Sequence, residues 1–231
     1  MVTDRRHAIG HVVAAFVLLA VFFWLGHYVT THPEPRALAA FALALRGHGT
    51  AIAWRFTEMG WGYVLAPLYV ALIVLALLRP QWRVPALFAL AIALICWGAA
   101  TEFQHFFARP RRTDWLIRHE TAFSYPSSHA AISTGFYFLC GLLALRSRLA
   151  AWLRYTLFAA LILVTFGIIW SRIELAAHNL TDIIGGVMLA LVIISLGAAV
   201  LEFAGIGLFA RGDAADSEAS ADGGARTRPG S

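Results

Sequence analysis

The chain has 231 residues, 60% of them hydrophobic and only 13% charged, with a mean hydropathy of +0.71. This is far more apolar than an ordinary soluble domain and makes a membrane protein the first expectation. Its formal charge of +5 and isoelectric point near 9.8 do not imply nucleic-acid binding: such a surface needs a continuous basic patch in polar surroundings, whereas here the charges sit between apolar runs.

A spanning helix needs roughly 20 apolar residues, because lipid offers the backbone no hydrogen-bond partner. In chain order the stretches 8–29, 61–79, 84–106, 130–146, 151–170 and 181–205 meet that demand. The expected fold is therefore all-α, a polytopic membrane protein with about six transmembrane helices plus short interfacial helices. The first stretch follows Arg5 and Arg6 as a secretory signal would. Its apolar run is long, however, and no clean small-x-small cleavage site follows, so it reads as a retained helix. His32-Pro33-Glu34-Pro35 then break the chain, and residues 37–57 are mostly apolar but interrupted by Arg46, His48 and Arg55. That segment is too charged to span and is expected to lie in the interface as one or two amphipathic helices. Cys96 and Cys140 sit within apolar stretches, which supports neither a disulfide framework nor a zinc site. Trp61, Trp82, Trp115, Trp152 and Trp170 fall at span ends and read as belt anchors among the membrane lipids. Residues 1–210 thus form one membrane-embedded domain, and 211–231, rich in Gly, Ala, Ser, Asp and Arg, form a disordered tail.

Arginines near span ends favour the cytoplasmic side. Arg5, Arg6, Arg79, Arg83, Arg146, Arg148 and Arg154 all fall on one side of the six-span arrangement, which puts the N-terminus in the cytoplasm. The opposite face nevertheless carries Arg109, Arg111, Arg112 and Arg118 in one loop and Arg172 in another. Arginines on that face are what an anionic ligand requires. Three segments converge there: Arg109-Pro110, then Pro126-Ser127-Ser128-His129, then Ser171-Arg172 through His178 to Asp182. Together they contain the cationic forks, exposed backbone donors, two histidines and a carboxylate that phosphoryl transfer to a side chain needs. The four-residue spacing of His178 and Asp182 would put them on one helix face, with the carboxylate accepting a hydrogen bond from one ring nitrogen and the other free to attack. Pro126-Ser127-Ser128 before a span reads as a helix N-terminus, whose orphan amides suit a phosphate.

These motifs resemble those of the type 2 phosphatidic acid phosphatases, a superfamily that also includes glucose-6-phosphatase, bacterial acid phosphatases and vanadium haloperoxidases. The third motif, Ser-Arg-x5-His-x3-Asp, matches as Ser171, Arg172, His178 and Asp182; the second, Pro-Ser-Gly-His, matches as Pro126, Ser127 and His129 with Ser128 at the glycine. The first, Lys-x6-Arg-Pro, is half present: Arg109-Pro110 stand in place, but Glu102 occupies the lysine position. The resemblance covers about residues 60–205 and implies roles. His178 would attack phosphorus, Asp182 would orient it, and His129 would protonate the leaving oxygen and then activate water. Arg109, Arg172, Ser127 and Ser128 would hold the phosphoryl oxygens. No metal or cofactor is implied. Arg111, Arg112 and Arg118 are left to lipid headgroups rather than the core site. Glu102, as a partner of Arg109 or Arg112, is a candidate for substrate tuning.

A lipid phosphate or diphosphate phosphatase is thus the expected function, with polyprenyl (undecaprenyl) diphosphate as first choice. Phosphatidylglycerophosphate, phosphatidate and lipid A phosphates are the alternatives. An anion channel would carry charges in mid-span and broken helices, and the fifth and sixth spans show neither. An inactive membrane scaffold would rest on Glu102 alone.

Overall fold

The computed structural model describes residues 2–114, 116 and 121–206, and among them it contains helices and no strand. The 211–231 tail, Trp115 and Arg118 lie outside the described residues. Helix α1 spans Val2–Thr31, followed by two short helices, α2 (Arg36–Ala44) and α3 (Thr50–Glu58). Next come α4 (Gly62–Leu78) and α5 (Arg83–Phe107), joined by a 3-10 turn at Pro80–Trp82. The fourth predicted span is α6 (Ser128–Ser133) and α7 (Leu139–Leu145), continuous through a π-helical turn at Thr134–Phe138. The last two helices are α8 (Ala151–Glu174) and α9 (Leu180–Phe203).

Five of these helical stretches are long and apolar enough to cross a membrane. The second expected span, 61–79, is α4, which is short at 17 residues and reaches spanning length when joined to α3 across a 43° bend. The Pro-Glu-Pro break ends α1, and residues 37–57 become α2 and α3, as their charge interruptions suggested. Helix α3 does more than lie at an interface. Its Phe56 ring fits against Gly167 of α8, where a Cβ would come within 2.2 Å of it, and meets Trp170 edge-on at 6.4 Å.

Local chemistry explains where the site-bearing helices begin. Helix α9 starts at Asn179 with a capping box, in which Asn179 and Asp182 satisfy each other's backbone amides. Ser127 caps α6, its hydroxyl accepting from the amide of Ala130 at 3.4 Å. Helix α5 stops at Ala108, in the left-handed region at φ 49°, and Pro110 prevents its resumption.

The core lies between α1, α5 and α9. Phe22, Phe103, Phe107 and Tyr125 form an aromatic cluster there, with Phe22 and Tyr125 stacked at 5.5 Å. The Tyr125 hydroxyl donates to the carbonyl of Phe22 at 2.8 Å, which anchors the loop immediately before Pro126-Ser127 to α1. Two adjacent glycines allow the loop to lie on α9. A Cβ at Gly185 would fall 2.3 Å from the Tyr125 ring, and one at Gly186 would fall 2.3 Å from the Ser127 carbonyl oxygen and 3.0 Å from Ala130 Cβ. The Ser127 contact is with backbone, so no side-chain rotation relieves it. We expect Gly186→Ala to destabilise the protein by about 1–3 kcal/mol, as overpacking of a close-packed interior does. Thermal unfolding in detergent measures this, and an unchanged midpoint would mean that the Ser127 backbone yields without cost.

Candidate active site

The last motif forms a tight turn between two spans. Helix α8 ends at Leu175, Ala176 adopts a left-handed φ of 57°, and the amides of Ala177 and His178 both donate to the Arg172 carbonyl, at 3.0 and 3.2 Å. This is a left-handed helix cap built on an alanine, a conformation that costs an L-residue about 1–2 kcal/mol. It turns the chain so that His178, only 2% exposed, faces inward before α9 begins at Leu180.

Asp182 is fully buried, and its carboxylate receives hydrogen bonds from the first motif, from the loop before the second and from within the third. Arg109 Nη1 donates to its Oδ1, while the Ser124 hydroxyl and the Asn179 amide donate to its Oδ2, the latter at 2.8 Å. The backbone closes the same junction, since the Ser127 amide donates to the Asp182 carbonyl at 2.9 Å. The expected sharing of one helix face by His178 and Asp182 is not what brings them together. His178 lies in the turn, outside α9, because Asn179 takes the cap position. Its Nδ1 stands 3.6 Å from Asp182 Oδ2, beyond hydrogen-bond length. Such contacts often tighten only when substrate is bound.

The proton on His178 can be assigned from its other neighbour. Arg111 Nη1 lies 3.1 Å from His178 Nε2, and a guanidinium can only donate, so Nε2 carries the lone pair and Nδ1 the hydrogen that faces Asp182. Burial, and next the positive charge of Arg111, push the His178 pKa down to about 4, against the opposing pull of Asp182. The ring is therefore neutral at ordinary pH, with the nitrogen opposite Asp182 nucleophilic.

His129 at the start of α6 is buried, and neither ring nitrogen has a hydrogen-bond partner among the described residues. Its ring meets Trp61 edge-on at 5.5 Å and touches the chain at Gly60, where a Cβ would lie 2.6 Å away. A buried imidazole left this way invites a polar partner from the cavity it lines. Ser128 lines the same cavity, whereas Ser127 is occupied in capping. Arg172 is buried in α8 and donates to the Thr57 hydroxyl of α3 at 2.7 Å. Glu174, also buried, accepts from the Gly49 amide at 2.6 Å and so holds the start of that same helix. Ser171 donates back to the Ile168 carbonyl at 2.6 Å, a structural role.

Several residues go beyond the motif reading. Glu34, in the break after α1, accepts from Arg109 Nη2 at 3.1 Å and from the Thr181 amide at 3.2 Å, and also from the Thr181 hydroxyl. It thereby caps α9 from outside and clamps Arg109 against Asp182. Its flanking prolines were the only sign in the sequence, and they indicated a break rather than a ligand. Gln104 donates to the Pro126 carbonyl at 2.9 Å and fixes the second motif to α5. Glu102, two residues earlier, is exposed and makes no ion pair or hydrogen bond with a described residue. Its expected pairing with Arg109 or Arg112 does not occur, because it projects from another face of α5 than Gln104. Arg112 instead holds Asp114 bidentately at 2.9 and 2.7 Å and donates to Asn179 at 2.9 Å. Asp114 also accepts from Arg46 at 2.9 Å, and these two arginines, Arg112 first, hold its carboxyl well below the usual carboxylate range. Among the described residues, no group of three or more His, Cys, Asp or Glu side chains is arranged to hold a metal ion.

A cavity of about 740 Å³ lies against this site; Ser128 and His129 line it, whereas His178, Asp182, Arg109, Arg172 and Ser127 do not. Its polar end is formed by Arg111, Ser128, His129 and Gln104, and its walls by Leu65, Ala66 and Tyr69 of α4 with Leu94 and Trp97 of α5.

The fold and the motifs agree with known proteins. A solved transmembrane PAP2-type phosphatidylglycerolphosphate phosphatase from Bacillus subtilis matches with a TM-score of 0.66 at 19% sequence identity, over 82% of this chain and 96% of that one. No curated protein sequence matches significantly. The model of the PAP2 superfamily matches residues 82–205, which include all three motif segments and more than half of the sequence. The chain belongs to the PAP2 superfamily, as a membrane-spanning member of it.

Proposed function

We propose that the protein hydrolyses a lipid phosphate at the extracytoplasmic face through a phosphohistidine intermediate on His178. The cavity is the observation that carries this reading. Its polar end holds a cation, a hydroxyl and a histidine with unpartnered nitrogens, and its walls are apolar residues of two membrane helices. That combination suits an amphiphile with an anionic head and a hydrocarbon tail. The arginines of the α4–α5 and α7–α8 turns, at the opposite end of the bundle, support a cytoplasmic N-terminus and an outer site.

In the first step the Nε2 lone pair of His178 attacks phosphorus and the bond to the leaving oxygen breaks, with His129, held in its protonated form by the bound anionic substrate, supplying its proton. In the second, His129 removes a proton from water, the water oxygen attacks phosphorus and the P–N bond breaks. Inorganic phosphate leaves and His178 is restored. Asp182 stabilises the charge that develops on His178 through Nδ1–H, and Arg172 contributes positive charge from α8. Phosphatidylglycerophosphate is favoured as substrate by the activity named for the similar Bacillus subtilis structure. Polyprenyl diphosphate, the first choice from the sequence, ranks behind it, followed by phosphatidate and lipid A phosphates. Phosphate release measured across phosphatidylglycerophosphate, phosphatidate and undecaprenyl diphosphate ranks them directly. No release from any of them would overturn the reading.

His178→Ala should lower turnover by at least about three orders of magnitude and His129→Ala by roughly 10²–10⁴-fold, with helical circular dichroism retained. Wild-type-like phosphate release from purified His178→Ala would exclude it as nucleophile. A second expectation concerns pH. The attacking ring must be neutral, and its pKa is pushed down to about 4, so competence is complete well above that value and is lost as pH falls through it. The acid limb of kcat/KM should then fall below the ordinary imidazole range, and a midpoint at or above 6.5 would contradict the buried, Arg111-facing environment. A third concerns Glu34. Removing its charge in Glu34→Gln should loosen Arg109 and Asp182 and lower kcat about tenfold, equivalent to about 1.4 kcal/mol, with a smaller change in KM. Unaltered kcat would make Glu34 a bystander to catalysis.

A further inference from the structure

Two arginines of one loop, two residues apart, are held in different ways. Arg109 is buried with both terminal nitrogens engaged by protein: Nη1 by Asp182 and Thr181, Nη2 by Glu34. It does not line the cavity. Arg111 lines it, with Nε donating to the Ala122 carbonyl at 2.6 Å and Nη1 to the Ala177 carbonyl at 3.2 Å. These two bonds aim its guanidinium at His178 Nε2, 3.1 Å from Nη1. We propose that Arg111, outside the three motifs, is the arginine of this loop that receives the substrate phosphoryl group, whereas Arg109 is a positioning residue for Asp182.

The inference rests on the lipid phosphatase reading and deepens it. In the resting site an N–H of Arg111 covers the lone pair that must attack phosphorus. A phosphoryl oxygen is a stronger acceptor for that N–H than a neutral imidazole, because the bond becomes charge-assisted at both ends. Substrate binding thus moves the donor from nitrogen to oxygen and uncovers Nε2 in the same event. The guanidinium stays beside the transferring group, where charge gathers in the transition state. Arg111 also brings a cation to the cavity of a chain whose first motif has Glu102, exposed, at the lysine position. Among the described residues, the charged and titratable groups that act on His178 include Arg111 from the loop, Arg172 from α8, Asp182 from α9 and His129 from α6. Removing Arg111 leaves Arg172 as the one cation of that set.

The test uses the full chain in detergent, with Arg111→Ala and Arg111→Lys variants and two probes: phosphate release from the best lipid substrate and equilibrium binding of orthovanadate. Arg111→Ala should weaken orthovanadate and raise KM by at least about tenfold each. Arg111→Lys should recover part of the loss, since the charge returns without the planar fork. The acid limb of kcat/KM should move to higher pH in Arg111→Ala, because a cation that disfavours protonation of His178 is gone. A purely structural role for Arg111 would not move that limb. Wild-type orthovanadate affinity in a folded Arg111→Ala or Arg111→Lys, with an unmoved acid limb, would overturn the proposal. If the wild type releases no phosphate from any lipid, the functional reading fails alone. Orthovanadate binding still decides, its loss on Arg111→Lys or Arg111→Ala supporting the assignment and its retention, or no binding by wild type, overturning it.

Discussion

A carboxylate removed entirely from solvent is the constraint on which this site is built. Burying the Asp182 charge is costly unless it is paired and its oxygens are hydrogen-bonded. Its partners are Arg109 from the end of α5, Ser124 from the loop before α6, and Asn179 from the turn before α9. Those groups come from the first motif, from the loop that leads into the second and from the third, so satisfying one charge draws these segments together. The Ser127 amide on the Asp182 carbonyl then sets where α6 begins, and with it where His129 enters the cavity.

The surrounding helices serve this junction. The aromatic cluster of α1 and α5 grips Tyr125, and the glycine pair of α9 lets the Tyr125–Ser128 strip lie close against that helix. Outside the region matched by the family model, the first 81 residues still reach the site. Glu34 clamps Arg109 and the start of α9, and Thr57 supports Arg172. The Pro-Glu-Pro break and the two short helices are therefore parts of the active-site wall as well as connectors.

Charge is distributed with the same economy. Asp114 pairs with Arg112 and Arg46 and ties the loop to the α2–α3 connection, and Glu34 and Asp182 pair with Arg109. Arg111 lines the cavity together with Ser128 and His129.

The sequence by itself determined the membrane architecture and the positions of the motifs, because both are local properties. Apolar run length sets the spans, and the offsets of Ser171, Arg172, His178 and Asp182 are read directly from the chain. It also indicated that residues 37–57 would break into short helices, from the charges that interrupt them. What tertiary structure alone decided is which groups meet. Glu34 and Arg109 are 75 residues apart, and Thr57 and Arg172 are 115 apart. Glu102 and Gln104 differ by two positions, yet helix rotation points one outward and the other at the Pro126 carbonyl. His178 and Asp182 meet through a cap rather than a shared helix face, because Asn179 starts the helix after His178. Rotation about an axis, the path of a loop and the choice of a cap depend on the packing of the whole bundle, and no local pattern of residues encodes them.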